Sequence, residues 1–370
     1  MKNIEKEWRE LSRAHNFNAG PAALPTEVLE SAQNELVDFN NTGMSVMELS
    51  HRSPDYEAVH NEAIASIKRL LAVPDDYEVL LLQGGASLQF PMIPMNFLSK
   101  DETANYILTG SWSEKAVKEA ELIGKTRSSA SSAESNYTYI PDTSQLGLNE
   151  NDAYVHITSN NTIFGTQWQD FDLDWKSPLI ADMSSDILSK PIPIERFSMI
   201  YAGAQKNLGP SGVTVVIIKK DLLNRSSQNI PTLMRYRTHS DKNSLYHTPP
   251  TFAIYMLKKV LNWVEENGGA EGMRQRNTEK ANLLYHTIDE SNGFYEGHAE
   301  KSSRSFMNVT FNLPSAELNE KFLKEAKEAG FVGLNGHRSV GGCRASIYNA
   351  VSLESCQALK EFMIEFQKNN

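Results

Sequence analysis

The sequence predicts an α/β protein, with a mainly parallel sheet covered by helices on both faces and a smaller α+β module toward the C-terminus. Three observations carry this. Short, continuously apolar runs recur between helical stretches at 78–82, 153–158 and 213–218, without the polar alternation of a half-exposed strand. The texture changes after residue 250, where long helices alternate with single strands. The chain has 370 residues, 40% of them hydrophobic, which is enough for two domains with their own cores.

In chain order, 1–12 reads as an extension. Residues 16–25, rich in Asn, Gly, Ala and Pro, read as irregular structure. Val59, Ala63, Ile67, Leu70 and Leu71 fall at helical spacing over 56–72. A buried strand is expected at 78–82. A helix is expected to start near Gly84-Gly85-Ala86-Ser87, although Pro91 and Pro94 complicate it. A strand at 105–108 and a helix at 113–123 follow, and 128–135 reads as a polar loop. Strands are expected at 153–158, 179–181, 197–201 and 213–218. The last has room to run antiparallel, since too little chain precedes it for a helical crossover. The helix at 252–267 is closed by Gly268-Gly269. Beyond it come a helix at 270–289, a half-buried strand at 305–312, a helix at 316–329, a strand at 344–348 and a helix at 353–367. The expected division is a large domain at 25–268 and a small domain at 269–370, the latter joined by the stretch 13–24.

Lys and Arg number 36 against 46 Asp and Glu, a net charge of −10. That balance disfavours an extended nucleic-acid surface and a polybasic membrane anchor. No apolar run approaches the roughly 20 residues of a membrane helix, and the first ten residues have no apolar signal region. Cys343 and Cys356 are the only cysteines, too few for a disulfide framework or a Cys-rich metal site. A cytoplasmic protein without a metal is expected.

Ligands of open α/β sheets sit at the carboxyl ends of the strands. Gln83-Gly84-Gly85-Ala86-Ser87 follows the first strand, where small residues and a helix N-terminus suit an anion. Alone, a tight turn explains it better; neither a Walker A signature nor a Gly-x-Gly-x-x-Gly fingerprint is present. Trp112 follows the next strand and is placed either to stack on a planar ligand or to fill core. Ser159-Asn160-Asn161-Thr162 supplies hydrogen-bonding side chains. Asp182 ends an apolar strand, and a helix N-cap would also explain it. Lys206 lies in the small-residue loop Ala202-Gly203-Ala204-Gln205-Lys206, an unusual place for lysine. An anion cradle, a flat neighbour, hydroxyl donors, a carboxylate and a lysine are the parts that pyridoxal 5′-phosphate needs.

Asp182 followed 24 residues later by Lys206 resembles the fold-type I pyridoxal-phosphate enzymes. Longer strings narrow the likeness. Phe17-Asn18-Ala19-Gly20-Pro21-Ala22, Ser50-His51-Arg52-Ser53, Gln83-Gly84-Gly85-Ala86-Ser87, Ala202 to Asn207, Thr248-Pro249-Pro250-Thr251-Phe252, Gly336 to Gly342 and Arg344 to Ala350 resemble the phosphoserine aminotransferase family, class V of that fold. The resemblance runs in order from about residue 16 to the C-terminus.

It implies a seven-stranded, mainly parallel sheet in the large domain and a homodimer with active sites at the subunit interface. The implied reaction is reversible transamination of 3-phosphohydroxypyruvate with L-glutamate, giving O-phospho-L-serine and 2-oxoglutarate in serine biosynthesis. Use of a phosphorylated four-carbon analogue in pyridoxine biosynthesis is implied for many bacteria. Lys206 would carry the cofactor as a Schiff base, Asp182 would pair with the pyridine nitrogen, and Trp112 would stack on the ring. Ala86, Ser87 and Gln205 would serve the cofactor phosphate and Thr162 the ring hydroxyl. His247 and Thr248 would reach the phosphate of the neighbouring subunit; the family has Asn at the first of these positions, and many members have Arg at the position of Ser87.

Residues 331–350 hold His337, Arg338 and Arg344 and no acidic residue, a basic island in an acidic chain. Arginine suits forked binding of carboxylate and phosphate. With the resemblance, Arg344 is the expected α-carboxylate clamp, and His51, Arg52, His337 and Arg338 the expected pocket for the distal anion. An alanine–glyoxylate or serine–pyruvate type of aminotransferase would need no second anion cluster. An NAD-dependent oxidoreductase would need the missing glycine fingerprint. A non-catalytic binding protein would have no need of both Lys206 and Asp182.

Overall fold

The computed structural model describes residues 13–142, 146, 149–171, 175–338 and 340–370. The expected extension 1–12 and Ser339, within the Gly336 to Gly342 string, lie outside the described residues.

The large sheet has seven strands: β1 Tyr77–Leu82, β2 Thr103–Leu108, β3 Lys125–Ser131, β4 Asp152–Thr158, β5 Leu179–Asp182, β6 Met199–Gly203 and β7 Thr214–Lys219. Their order is β1-β7-β6-β5-β4-β2-β3. β7 runs antiparallel to both β1 and β6, while the other pairs are parallel. Alternate side chains feed two cores. Val79, Leu81, Val155, Ile157, Ile200 and Ile217 pack on one face. Leu80, Leu82, Tyr154, Ile180, Met199 and Ile218 pack on the other. Both faces are covered, which is why these strands read as unbroken apolar runs.

One expectation needs correction. The polar loop expected from 128 is in part a strand, since β3 runs through Ser131 and pairs with β2 along the sheet edge. None of its residues is buried, so burial never selected apolar side chains there.

The helix Gly85–Phe97 continues through Pro91 and Pro94. Phe90, Met92, Ile93 and Phe97 are all buried against the sheet, and that burial outweighs the missing N–H groups. Its entry needs a glycine. Gly84 has φ +92°, and a Cβ there would lie 2.3 Å from Leu88 Cδ2.

The C-terminal part builds a three-stranded antiparallel sheet from β8 Glu296–Gly297, β9 Asn308–Asn312 and β10 Cys343–Ser346. Helices Gly269–Asp289, Ala316–Glu328 and Leu353–Lys368 accompany it. Phe17 joins the core formed by Leu284, Phe311, Phe322 and Phe366, and His15–Asn16 pairs in parallel with Phe331–Val332. The N-terminal stretch is thus tied to the C-terminal core. No helix among the described residues is long and apolar enough to cross a membrane.

Candidate active site

At the carboxyl ends of β4, β5 and β6 the sheet opens on a cavity of about 310 Å³. Parallel pairing sets Thr158, Asp182 and Tyr201 side by side at that edge. Thr158, Asp182, Thr162, Gln205 and Lys206 line the cavity from the strand ends, Ala86 and Ser87 from the first turn of helix Gly85–Phe97, and Trp112 from helix Ser111–Glu121. His337 and Arg344 reach it from the C-terminal part.

Lys206 Nζ donates to Thr162 Oγ1 at 3.0 Å and lies 5.9 Å from the centre of the Trp112 ring. Burial pushes its pKa down to about 8; the Asp182 carboxylate opposes this and the Arg344 charge adds to it. Asp182 Oδ1 accepts from the Ser184 backbone N–H at 2.9 Å and the Ser184 hydroxyl at 2.6 Å. Burial raises its pKa, against the Ser184 hydrogen bonds and the Lys206 charge. Thr162 is a hub, because its carbonyl also accepts from Arg344 Nη1 at 3.0 Å. Burial lowers the basicity of Arg344. His337 is made less basic by burial first, then by Arg344, Arg338 and Lys115, so the mouth of the cavity is electropositive.

The sequence-derived residues divide into two groups. Ala86, Ser87, Trp112, Thr162, Asp182, Gln205, Lys206, His337 and Arg344 share one cavity. His51, Arg52, Arg338, His247 and Thr248 are not in its lining. His247 and Thr248 are held near the end of β1 by Gln83, whose Nε2 lies 3.0 Å from His247 Nε2 and donates to the Thr248 carbonyl at 2.9 Å. Thr158, Ser184 and Ser185 also line the cavity with no role assigned by sequence reasoning, and Asn160 does so after being read only as part of a hydrogen-bonding run. Their signal was available: each lies within four residues of a predicted strand end.

The class-V aminotransferase model matches residues 14–359 of this chain. Phosphoserine aminotransferase of Halalkalibacterium halodurans is 66% identical over 360 residues, 97% of this chain and all of that protein. The chain belongs to the class-V aminotransferase family. A solved phosphoserine aminotransferase, in a structure concerned with radiation damage of its Schiff base, superposes with a TM-score of 0.95 at 63% identity, covering 97% of this chain and all of its own. The pyridoxal-phosphate-bound phosphoserine aminotransferase of Trichomonas vaginalis superposes with a TM-score of 0.91 at 40% identity, covering 95% and 100%. This class-V aminotransferase thus has the fold-type I architecture, and its cofactor is pyridoxal 5′-phosphate.

The cavity fits that group. Trp112 Nε1 and Thr158 Oγ1 are buried polar atoms with no hydrogen-bond partner among the described residues. A helix N-terminus suited to a phosphate lies at one side, and a buried carboxylate and a half-buried amine lie within the same cavity.

Proposed function

We infer that this chain acts as a phosphoserine aminotransferase, exchanging the amino group between L-glutamate and 3-phosphohydroxypyruvate in serine biosynthesis. The observation that carries the reading is Lys206, half-buried and made less basic, sharing a cavity with Asp182 and Arg344.

Bound there, pyridoxal phosphate supplies a conjugated ring that takes up the electron pair left when the substrate Cα–H bond breaks. The chain's own groups do the rest. Lys206 Nζ holds the cofactor between turnovers, then takes the proton from the substrate Cα. A pKa near 8 leaves an appreciable share of the amine neutral at working pH. Asp182 would hold a proton on the ring nitrogen, and Trp112 would stack on the ring. The backbone at Ala86 and Ser87, the Ser87 hydroxyl and Gln205 hold the phosphate, and Thr162 the ring hydroxyl. Arg344 fixes the α-carboxylate, common to both amino donors, while His51, Arg52, His337 and Arg338 bind the distal anion.

The proposal includes a cytoplasmic homodimer whose partner subunit supplies His247 and Thr248, and a chain divided near residue 269. The phosphorylated four-carbon acid of pyridoxine biosynthesis has the same two anions, and its use is part of the reading.

Half-reaction kinetics on three amino acids test the substrate class. Each charge-assisted hydrogen bond contributes roughly 1.5–3 kcal/mol, or about one to two decades. Arg338→Ala is expected to weaken phosphoserine and glutamate by that factor and to leave alanine, which has no distal anion, nearly unchanged. Arg344→Ala is expected to impair all three. Equal losses on alanine and phosphoserine in Arg338→Ala would make the basic island a structural support instead.

A further inference from the structure

Lys280 is a buried cation that the reaction as described does not use. It lies on the helix Gly269–Asp289 and is 0% exposed. Its Nζ donates to the carbonyls of Ile347, Tyr348 and Val351 at 2.9, 2.8 and 3.0 Å. An ammonium has three protons, so each carbonyl takes one and none is left for a carboxylate. Burial pulls its pKa down to about 7, and the carbonyls oppose that pull, since only the charged form satisfies all three. Taking a lysine wholly out of water is costly. What its bonds secure is the turn Tyr348–Val351, closed by the Val351 N–H on the Tyr348 carbonyl at 2.9 Å.

That turn is where the C-terminal core meets the loop of Lys206. The Asn349 backbone N–H donates to Asn207 Oδ1 at 3.0 Å, and Asn207 directly follows Lys206. Asn349 Nδ2 donates to the Leu188 carbonyl at 2.9 Å, in the segment after β5. Asn277, on the same helix face as Lys280, donates to Asn349 Oδ1 at 2.8 Å and to the Ser189 carbonyl at 3.0 Å. Tyr348 Oη donates to the Ala19 carbonyl at 2.8 Å. Ala19 and Gly20 wall the cavity, and a Cβ on Gly20 would lie 3.5 Å from Lys206 Cγ, so this wall packs on the lysine stem. Upstream, the turn continues directly from β10, which carries Arg344 to the Thr162 carbonyl. One short turn thus joins Arg344 to both the wall and the loop that hold Lys206.

We propose that Lys280 is a positioning residue: by holding the turn 347–351 it fixes Arg344 relative to Lys206, and so the Cα of the bound amino acid relative to the amine that takes its proton. The proposal rests on the aminotransferase reading of the cavity. Proton transfer needs its atoms within about 0.5 Å of their productive places, whereas a guanidinium can follow a carboxylate that has shifted. Loss of the three bonds should therefore lower the rate rather than the affinity. It should do so for every amino acid, because the α-carboxylate is common to all.

The test is the half-reaction of Lys280→Met holoenzyme at full cofactor occupancy, well below its melting temperature. Methionine keeps the stem and removes all three donors. The maximal rate is expected to fall roughly tenfold on glutamate, phosphoserine and alanine alike, with half-saturating concentrations within about threefold of wild type. A role in stability alone would lower the melting temperature and leave those rates as they were. Should Lys280→Met fail to fold or to hold cofactor, Tyr348→Phe decides. It loses one hydroxyl from the same turn, and a rate loss of about threefold on all three amino acids is expected. Wild-type rates in the deciding variant, or a loss confined to glutamate and phosphoserine, overturn the proposal while the aminotransferase reading stands. A wild-type holoenzyme that glutamate does not convert would overturn that reading itself.

Discussion

In the proposed role, Lys206 has to be a cation that its site tolerates and an amine that attacks a carbonyl. Burial resolves the conflict by lowering its pKa from 10.5 to about 8, and the Asp182 charge keeps the shift from going further. Two consequences follow for the apoprotein. The neutral amine is the nucleophile, so the rate of cofactor attachment, followed by absorbance after mixing with pyridoxal phosphate, should rise with pH through about 8 and then level off. A rate flat across that range would mean that the free amine is not limiting. The sign of the stability effect is the same. Between about 8 and 10.5 the unfolded chain binds more protons at this position than the folded one does, so this residue's contribution to apoprotein stability grows with pH across that window. Lysine after a buried strand was legible as an oddity in the sequence. Its partner Thr162 was legible only through the family resemblance, because an Asn-Thr run after a strand has many ordinary uses.

At the level of elements, legibility followed burial. β4, β6 and β7 are covered on both faces and read plainly as apolar runs. The edge strand β3 did not, because solvent leaves its side chains unconstrained. What pins it is polar. Arg127 Nε and Nη2 donate to Asp152 Oδ1 and Oδ2 at 3.0 and 2.5 Å, and Asn105 Nδ2 adds a bond to Oδ2 at 3.2 Å. The Asp152 side chain is 1% exposed, whereas that of Arg127 is 31% exposed. Arg127→Met would leave a buried carboxylate supported by Asn105 alone. A loss of about 3 kcal/mol in denaturant unfolding is expected, the low end for a broken buried pair because the guanidinium is partly hydrated. The visible spectrum of the folded variant should match wild type, since this pair is not in the lining of the cavity. A loss below about 0.5 kcal/mol would place the pair among ordinary surface salt bridges.

For the whole molecule, the residues that stay out of the cavity matter as much as those that line it. His247 and Thr248 sit beside Gln83 at the end of β1, and His51, Arg52 and Arg338 also lie outside the lining. A single chain's sequence and its fold place these groups, but a site shared between two chains is written in neither; only the resemblance supplied that expectation. If the partner subunit completes each site, a mixture of Lys206→Ala chains with His247→Ala/Thr248→Ala chains, unfolded and refolded together, should regain activity that neither has alone, because mixed dimers contain one intact site. No recovery, with dimers present in sedimentation, would return His247 and Thr248 to a role within their own chain. The central claim, a pyridoxal-phosphate transaminase working through Lys206, is tested most directly by the absorbance spectrum of the purified holoenzyme before and after L-glutamate is added. The account predicts a visible band that glutamate converts to a near-ultraviolet one and that 3-phosphohydroxypyruvate restores. A protein that takes up pyridoxal phosphate without a visible band, or whose band glutamate leaves unchanged, would contradict it.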